Sequence, residues 1–71
     1  MSDKLEITVN GDAQKIESGT TVADLLLTIG EPALDGLALA INEEVTPRST
    51  WPKRVLVAGD KVLLVRAAQG G

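Results

Sequence analysis

Residues 5–29 read LEITVNGDAQKIESGTTVADLLLTI. Leu5, Ile7 and Val9 alternate with Glu6, Thr8 and Asn10, and this period of two puts one apolar and one polar face on a β-strand. Asn10-Gly11-Asp12 follows at once. An Asn-Gly pair is the strongest short hairpin signal, because both residues accept positive φ. Ala13 to Glu17 then reads as the return strand, with Ile16 as its anchor. Ser18-Gly19-Thr20 ends the alternation. Thr21-Val22-Ala23-Asp24 matches a capping box, in which the threonine hydroxyl and the aspartate carboxylate satisfy free N–H groups at a helix start. Val22, Leu25, Leu26 and Ile29 fall at i, i+3, i+4 and i+7, a helix stripe that reads as core and not as a binding surface. Gly30 suits a left-handed cap, and Pro32 cannot continue the helix.

Beyond this ββα opening, Glu31 to Gly36 reads as a loop. Leu37-Ala38-Leu39-Ala40-Ile41-Asn42 is apolar on both alternating sets, the mark of a central strand or of one whose outer face meets a partner. Asn42-Glu43-Glu44 turns the chain, and Thr46 to Pro52 is irregular. Trp51, close to Pro47 and next to Pro52, reads as a plug against the core rim. Val55-Leu56-Val57 is expected to form a short strand, Gly59-Asp60 a tight turn, and Lys61 to Arg66 a closing strand that pairs non-locally. The expected class is α+β, in the order ββαβ(β)β, a mixed sheet of about four or five strands packed on one helix. Residues 1–66 form the expected domain and residues 67–71 a flexible tail.

Composition narrows the chemistry. A chain of 71 residues with 44% hydrophobic content folds as one domain, with little interior left for a deep substrate pocket. It has no cysteine, histidine or tyrosine. Disulfides and cysteine-ligated zinc are thereby excluded, and the usual neutral-pH base and commonest metal ligand are missing. A net charge of −3 argues against nucleic acid, which demands a basic patch. No apolar run approaches a membrane span, and Met1-Ser2-Asp3-Lys4 lacks the apolar segment of a signal peptide, so no membrane role and a cytoplasmic location are expected. Asp24, Asp35, Asp60, Glu43 and Glu44 sit where turns and helix starts favour acids, and read as solvated or capping groups. Lys53, Lys61 and Arg66 read as ordinary surface charges. No catalytic residue, metal site or bound cofactor is expected.

The last five residues, Ala67-Ala68-Gln69-Gly70-Gly71, carry no side chain larger than glutamine. The carboxylate of Gly71 is expected to be the working group. It is ionised at neutral pH and a poor acyl donor, but it can attack the α-phosphate of ATP to give an acyl-adenylate. A sulfur or amine nucleophile then displaces AMP. The ATP, the magnesium and the catalytic side chains belong to a partner. Gly70 gives the backbone clearance between close walls. Five extended residues span roughly 17 Å, enough to enter a cleft while the fold docks outside. For docking, alternation that turns Leu37, Leu39 and Ile41 inward turns Ala38 and Ala40 outward. Likewise, if Val62 and Leu64 face the core, Leu63 and Val65 face out. Ala38, Ala40, Leu63 and Val65 are therefore the expected partner-docking face.

The segments Ile7-Thr8-Val9-Asn10-Gly11, Thr21-Val22-Ala23-Asp24-Leu25-Leu26, Ala38-Leu39-Ala40-Ile41-Asn42, Val45-Thr46-Pro47-Arg48 with Trp51, Gly59-Asp60 and Gly70-Gly71 occur in an order and spacing that resembles one family over nearly the whole chain. This family is the ubiquitin-like β-grasp sulfur carriers, in particular those of thiamin thiazole synthesis. The resemblance implies a β-grasp fold and a carrier that is a protein substrate and not an enzyme. It implies adenylation of Gly71 by an adenylyltransferase similar to ubiquitin-activating enzymes, and conversion to a thiocarboxylate with sulfur from a donor protein. Delivery would be to thiazole synthase. Three other readings use the same features: a molybdopterin-synthase small subunit, a modifier conjugated to lysines, and a β-grasp interaction module in which the glycines are incidental.

Overall fold

A computed structural model describes residues 3–30 and 36–66. β1 (Lys4–Val9) and β2 (Asp12–Glu17) form the expected antiparallel hairpin, with Val9 opposite Asp12 and Lys4 opposite Glu17. Asn10 and Gly11 between them have φ of 52° and 87°, the positive pair that a two-residue turn of matching twist requires. Helix α1 (Val22–Thr28) starts in the expected capping box. The Asp24 N–H donates to Thr21 Oγ1 at 3.1 Å, and the Thr21 N–H donates to Asp24 Oδ2 at 3.3 Å. Val22, Leu25 and Leu26 are buried, while Leu27, on the far side of the helix, is exposed.

β3 (Leu37–Ile41) pairs antiparallel with β5 (Lys61–Arg66), and β5 in turn pairs parallel with β1. A short β4 (Glu44–Val45) folds back on β3. Among the described residues the sheet order is β2-β1-β5-β3-β4, which places β5, late in sequence, at the centre. The inward faces of β1, β3 and β5 supply Ile7, Val9, Leu37, Leu39, Ile41 and Val62, packed with the α1 stripe, Ile16 and Leu56. Each fully buried aliphatic side chain contributes about 1.5–3 kcal/mol, so this one layer of side chains supplies most of the stability.

Two expectations shift. The turn expected over Asn42-Glu43-Glu44 is shorter: Glu44 is the first residue of β4, because a two-residue loop of Asn42 and Glu43 already reverses the chain. Val55-Leu56-Val57 does not join the sheet. Val55 makes an isolated bridge to Thr21, and the Leu56 N–H donates to Thr20 O at 2.9 Å. The alternation there is real, with Leu56 buried between two exposed valines, but it ties the segment to the start of α1. The short strand of the expected order is therefore β4. Trp51 is the core plug: it is 3% exposed, follows a 3-10 turn at Arg48–Thr50, and donates from Nε1 to Thr46 O at 2.9 Å.

Glu43 is the odd residue of the β3–β4 turn. Its φ is 71° and that of Asn42 is 54°, so it occupies the place that Gly11 takes in the first hairpin. A left-handed conformation costs a non-glycine residue about 1–2 kcal/mol, partly offset by the extra entropy glycine loses on folding. Glu43→Gly is expected to stabilise the domain by about 0.5–1 kcal/mol, read as a melting temperature a few degrees higher. A lower melting temperature would contradict this account of the turn.

Candidate docking face

The side of the sheet away from α1 is divided lengthwise into two unlike halves. On β1 and β2 the outward residues pair across strands as Lys4 with Glu17, Glu6 with Lys15, and Thr8 with Ala13. Opposite charges face one another on successive rungs, and Lys4 Nζ lies 3.8 Å from Glu17 Oε2. Pairs this exposed add little to stability, but they leave that half well hydrated.

The other half is apolar. Ala38 pairs with Val65, and Ala40 pairs with Leu63 on one side and Val45 on the other. Ala38 and Ala40 make a low floor between Leu63 and Val65 along one wall and Val45 along the other. Leu63 and Val65 are each 51% exposed and Val45 is 76% exposed. The four residues expected to form a docking face are thus brought together, on adjacent strands and on the outer side. Their inward neighbours Leu37, Leu39, Ile41 and Val62 are buried and Leu64 is packed against the core, so the alternation holds along both strands.

Val45 belongs to the same surface and was not anticipated. Its signal lies in the pairing of Ile41 with Glu44, which carries the next residue onto the outer face. Without a glycine at position 43, the sequence gives no mark of a two-residue hairpin there. β5 ends at Arg66, whose cross-strand partner is Leu37, so the apolar half lies beside the point where residue 67 follows. Gly70 and Gly71, and the tail expected over residues 67–71, lie outside the described residues.

The acidic side chains divide between capping, solvent and core. Asp24 closes the helix cap, and Glu43 and Glu44 are exposed at the β3–β4 turn. Asp35 lies outside the described residues. Asp60, expected as a solvated or capping group, is not solvated, being 3% exposed. Its Oδ1 accepts from Asn42 Nδ2 at 3.0 Å, its Oδ2 accepts from the Val57 N–H at 2.9 Å, and Arg54 Nη2 stands 3.9 Å from Oδ2. These bonds fasten the 54–60 loop to the end of β3, a structural task. No group of three or more metal-ligating side chains occurs among the described residues, and no helix there is long and apolar enough to cross a membrane.

Comparison with known proteins settles the family. A family model described as the ThiS family matches residues 6–71. The chain belongs to the ThiS family. One relative, the sulfur carrier protein ThiS of Escherichia coli (strain K12), is 34% identical over 67 residues, covering 94% of this chain and 100% of the relative. The crystal structure of a thiamine biosynthesis protein (ThiS) from Geobacter metallireducens superposes with a TM-score of 0.82 at 23% identity, covering 94% of this chain and 100% of that one. At that identity the likeness speaks to fold, and it agrees with the β-grasp arrangement. The resemblance to thiamin sulfur carriers is borne out by this family membership.

Proposed function

We propose that this chain carries sulfur for the thiazole of thiamin on the carboxyl group of Gly71. The observation that carries the reading is the family match, which runs through position 71; a relative named as a sulfur carrier supports it. A carboxylate oxygen of Gly71 attacks the α-phosphorus of ATP and pyrophosphate leaves. A sulfur nucleophile at the oxidation level of sulfide then attacks the acyl carbon and AMP leaves, giving a thiocarboxylate. A ubiquitin-activating-like adenylyltransferase holds ATP and magnesium, a donor protein supplies sulfur, and thiazole synthase receives it. Gly70 leaves the backbone narrow enough to pass into the partner's site.

The apolar half of the sheet is the docking face in this scheme. Ala38, Ala40, Leu63 and Val65, joined by Val45, lie beside the root of the terminal segment and exclude water when a partner covers them. Charge introduced there must be desolvated on docking. Leu63→Asp is therefore expected to raise the KM of adenylation about tenfold while the exposed site leaves folding intact. An unchanged KM, measured by pyrophosphate exchange with the activating enzyme, would remove this face from the mechanism.

A further inference from the structure

Asn10 does more than turn a hairpin. In a parallel ladder, a residue whose N–H donates to one residue of the neighbouring strand accepts, through its own carbonyl, from the N–H two residues further along. The Asn10 N–H donates to Val62 O at 2.8 Å, so its carbonyl should accept from the Leu64 N–H. With φ of 52°, Asn10 has already entered the turn and its carbonyl leaves the ladder. The side chain takes its place: the Leu64 N–H donates to Asn10 Oδ1 at 2.8 Å. Asn42 repeats the device on the other side of β5. Its N–H donates to Lys61 O at 2.8 Å, and the Lys61 N–H returns a bond to Asn42 Oδ1 at 3.0 Å. Two left-handed asparagines thus lend side-chain oxygens to the central strand where both of its neighbours turn away.

The two contacts differ in what they hold. The Asn42 bond acts at the first residue of β5, where β1 also pairs with it through Thr8 opposite Lys61. The registered pairing of β1 with β5 stops at Val9 opposite Val62. Leu64 lies beyond it, between Leu63 and Val65 of the docking face and two residues before Arg66. We propose that Asn10 is a positioning residue for carboxyl-terminal activation: β3 already pairs with the end of β5 on one edge, and the Asn10 side-chain oxygen ties the other edge, so that the docking face and the end of β5 meet a partner already ordered. The proposal rests on the carrier reading above.

Asn10→Gly and Asn10→Asp separate the turn from the bond. Glycine keeps the positive φ and removes the oxygen, whereas aspartate keeps an acceptor of the same reach. Both are studied in the full chain well below the melting temperature, where the folded fraction is near one. For Asn10→Gly we expect amide exchange at Leu64 about tenfold faster and a KM for adenylation about fivefold higher, with kcat unchanged. Asn10→Asp is expected to restore both. A purely stabilising residue would leave KM unmoved under these conditions. Wild-type exchange at Leu64 in Asn10→Gly, an unchanged KM, or failure of Asn10→Asp to restore either quantity would overturn the proposal. Should the unaltered chain yield no AMP with the activating enzyme, the carrier reading fails and the positioning role falls with it. The exchange data would then still distinguish that failure from the loss of a bond that never formed.

Discussion

Removal of Gly71 is expected to abolish adenylation while thermal unfolding stays where it was. Among the described residues the buried core runs as far as Val62 and the sheet pairing as far as Arg66, and the expectation treats position 71 as a working end and not as a packing residue. The truncated chain still ends in a carboxylate, now on Gly70, and this makes the test sharp. That group has the same charge and chemistry but falls short by one residue, roughly 3.5 Å. Misplacement of a reacting atom by about 1 Å can cost about a hundredfold in rate, so a loss of at least that size is expected in kcat/KM. AMP formation within tenfold of the full chain would mean that the terminal carboxyl does not react at a fixed position. A fall in melting temperature would mean instead that the segment is part of the fold.

Asp60→Ala is expected to have the largest effect on stability. The substitution leaves the Asn42 amide and the Val57 N–H without the buried carboxylate that accepts from both, although Asn42 and Val57 are themselves exposed and water can reach part of each donor. A fully buried orphan costs about 1–3 kcal/mol and a partly hydrated one sits at the low end, so a loss of about 2 kcal/mol is expected, and for a domain of this size the melting temperature should fall by roughly 10 °C. The distant Arg54 contact adds little, since Arg54 is partly exposed and the separation is 3.9 Å. Asp60→Asn should fall between the two, because its oxygen can serve one donor while its amide group faces the other. Chemical denaturation decides the point. An alanine variant within about 1 kcal/mol of the parent would show that the loop is held by its apolar contacts alone.

Asp60 also shows where sequence reading stops. Gly59-Asp60 has the form of an exposed turn, and nothing local distinguishes it from one. The burial depends on Asn42, 18 residues away, arriving to cover it. Features with a short-range cause were legible: the Asn10-Gly11 hairpin, the Thr21 to Asp24 capping box, the α1 stripe, and the alternation along β3 and β5 that foretold the outer face. β4 was not, because two residues make no period and Glu43 stands where a hairpin would normally show glycine. Val55 to Val57 alternates like a strand, but alternation cannot say what it pairs with, and here it meets the helix entrance. The asparagine bonds to β5 were hidden for the same reason: Asn10 and Leu64 lie 54 residues apart, and their contact exists because β5 enters the sheet between β1 and β3.

The most direct test is the intact mass of this protein purified from the cell that makes it, under conditions that preserve acyl–sulfur bonds. The account predicts a population heavier by the exchange of one oxygen for one sulfur, with fragmentation placing the change on Gly71. A natural product that continues past Gly71 with no processing to free that carboxyl, or a sulfur found elsewhere on the chain, would contradict it.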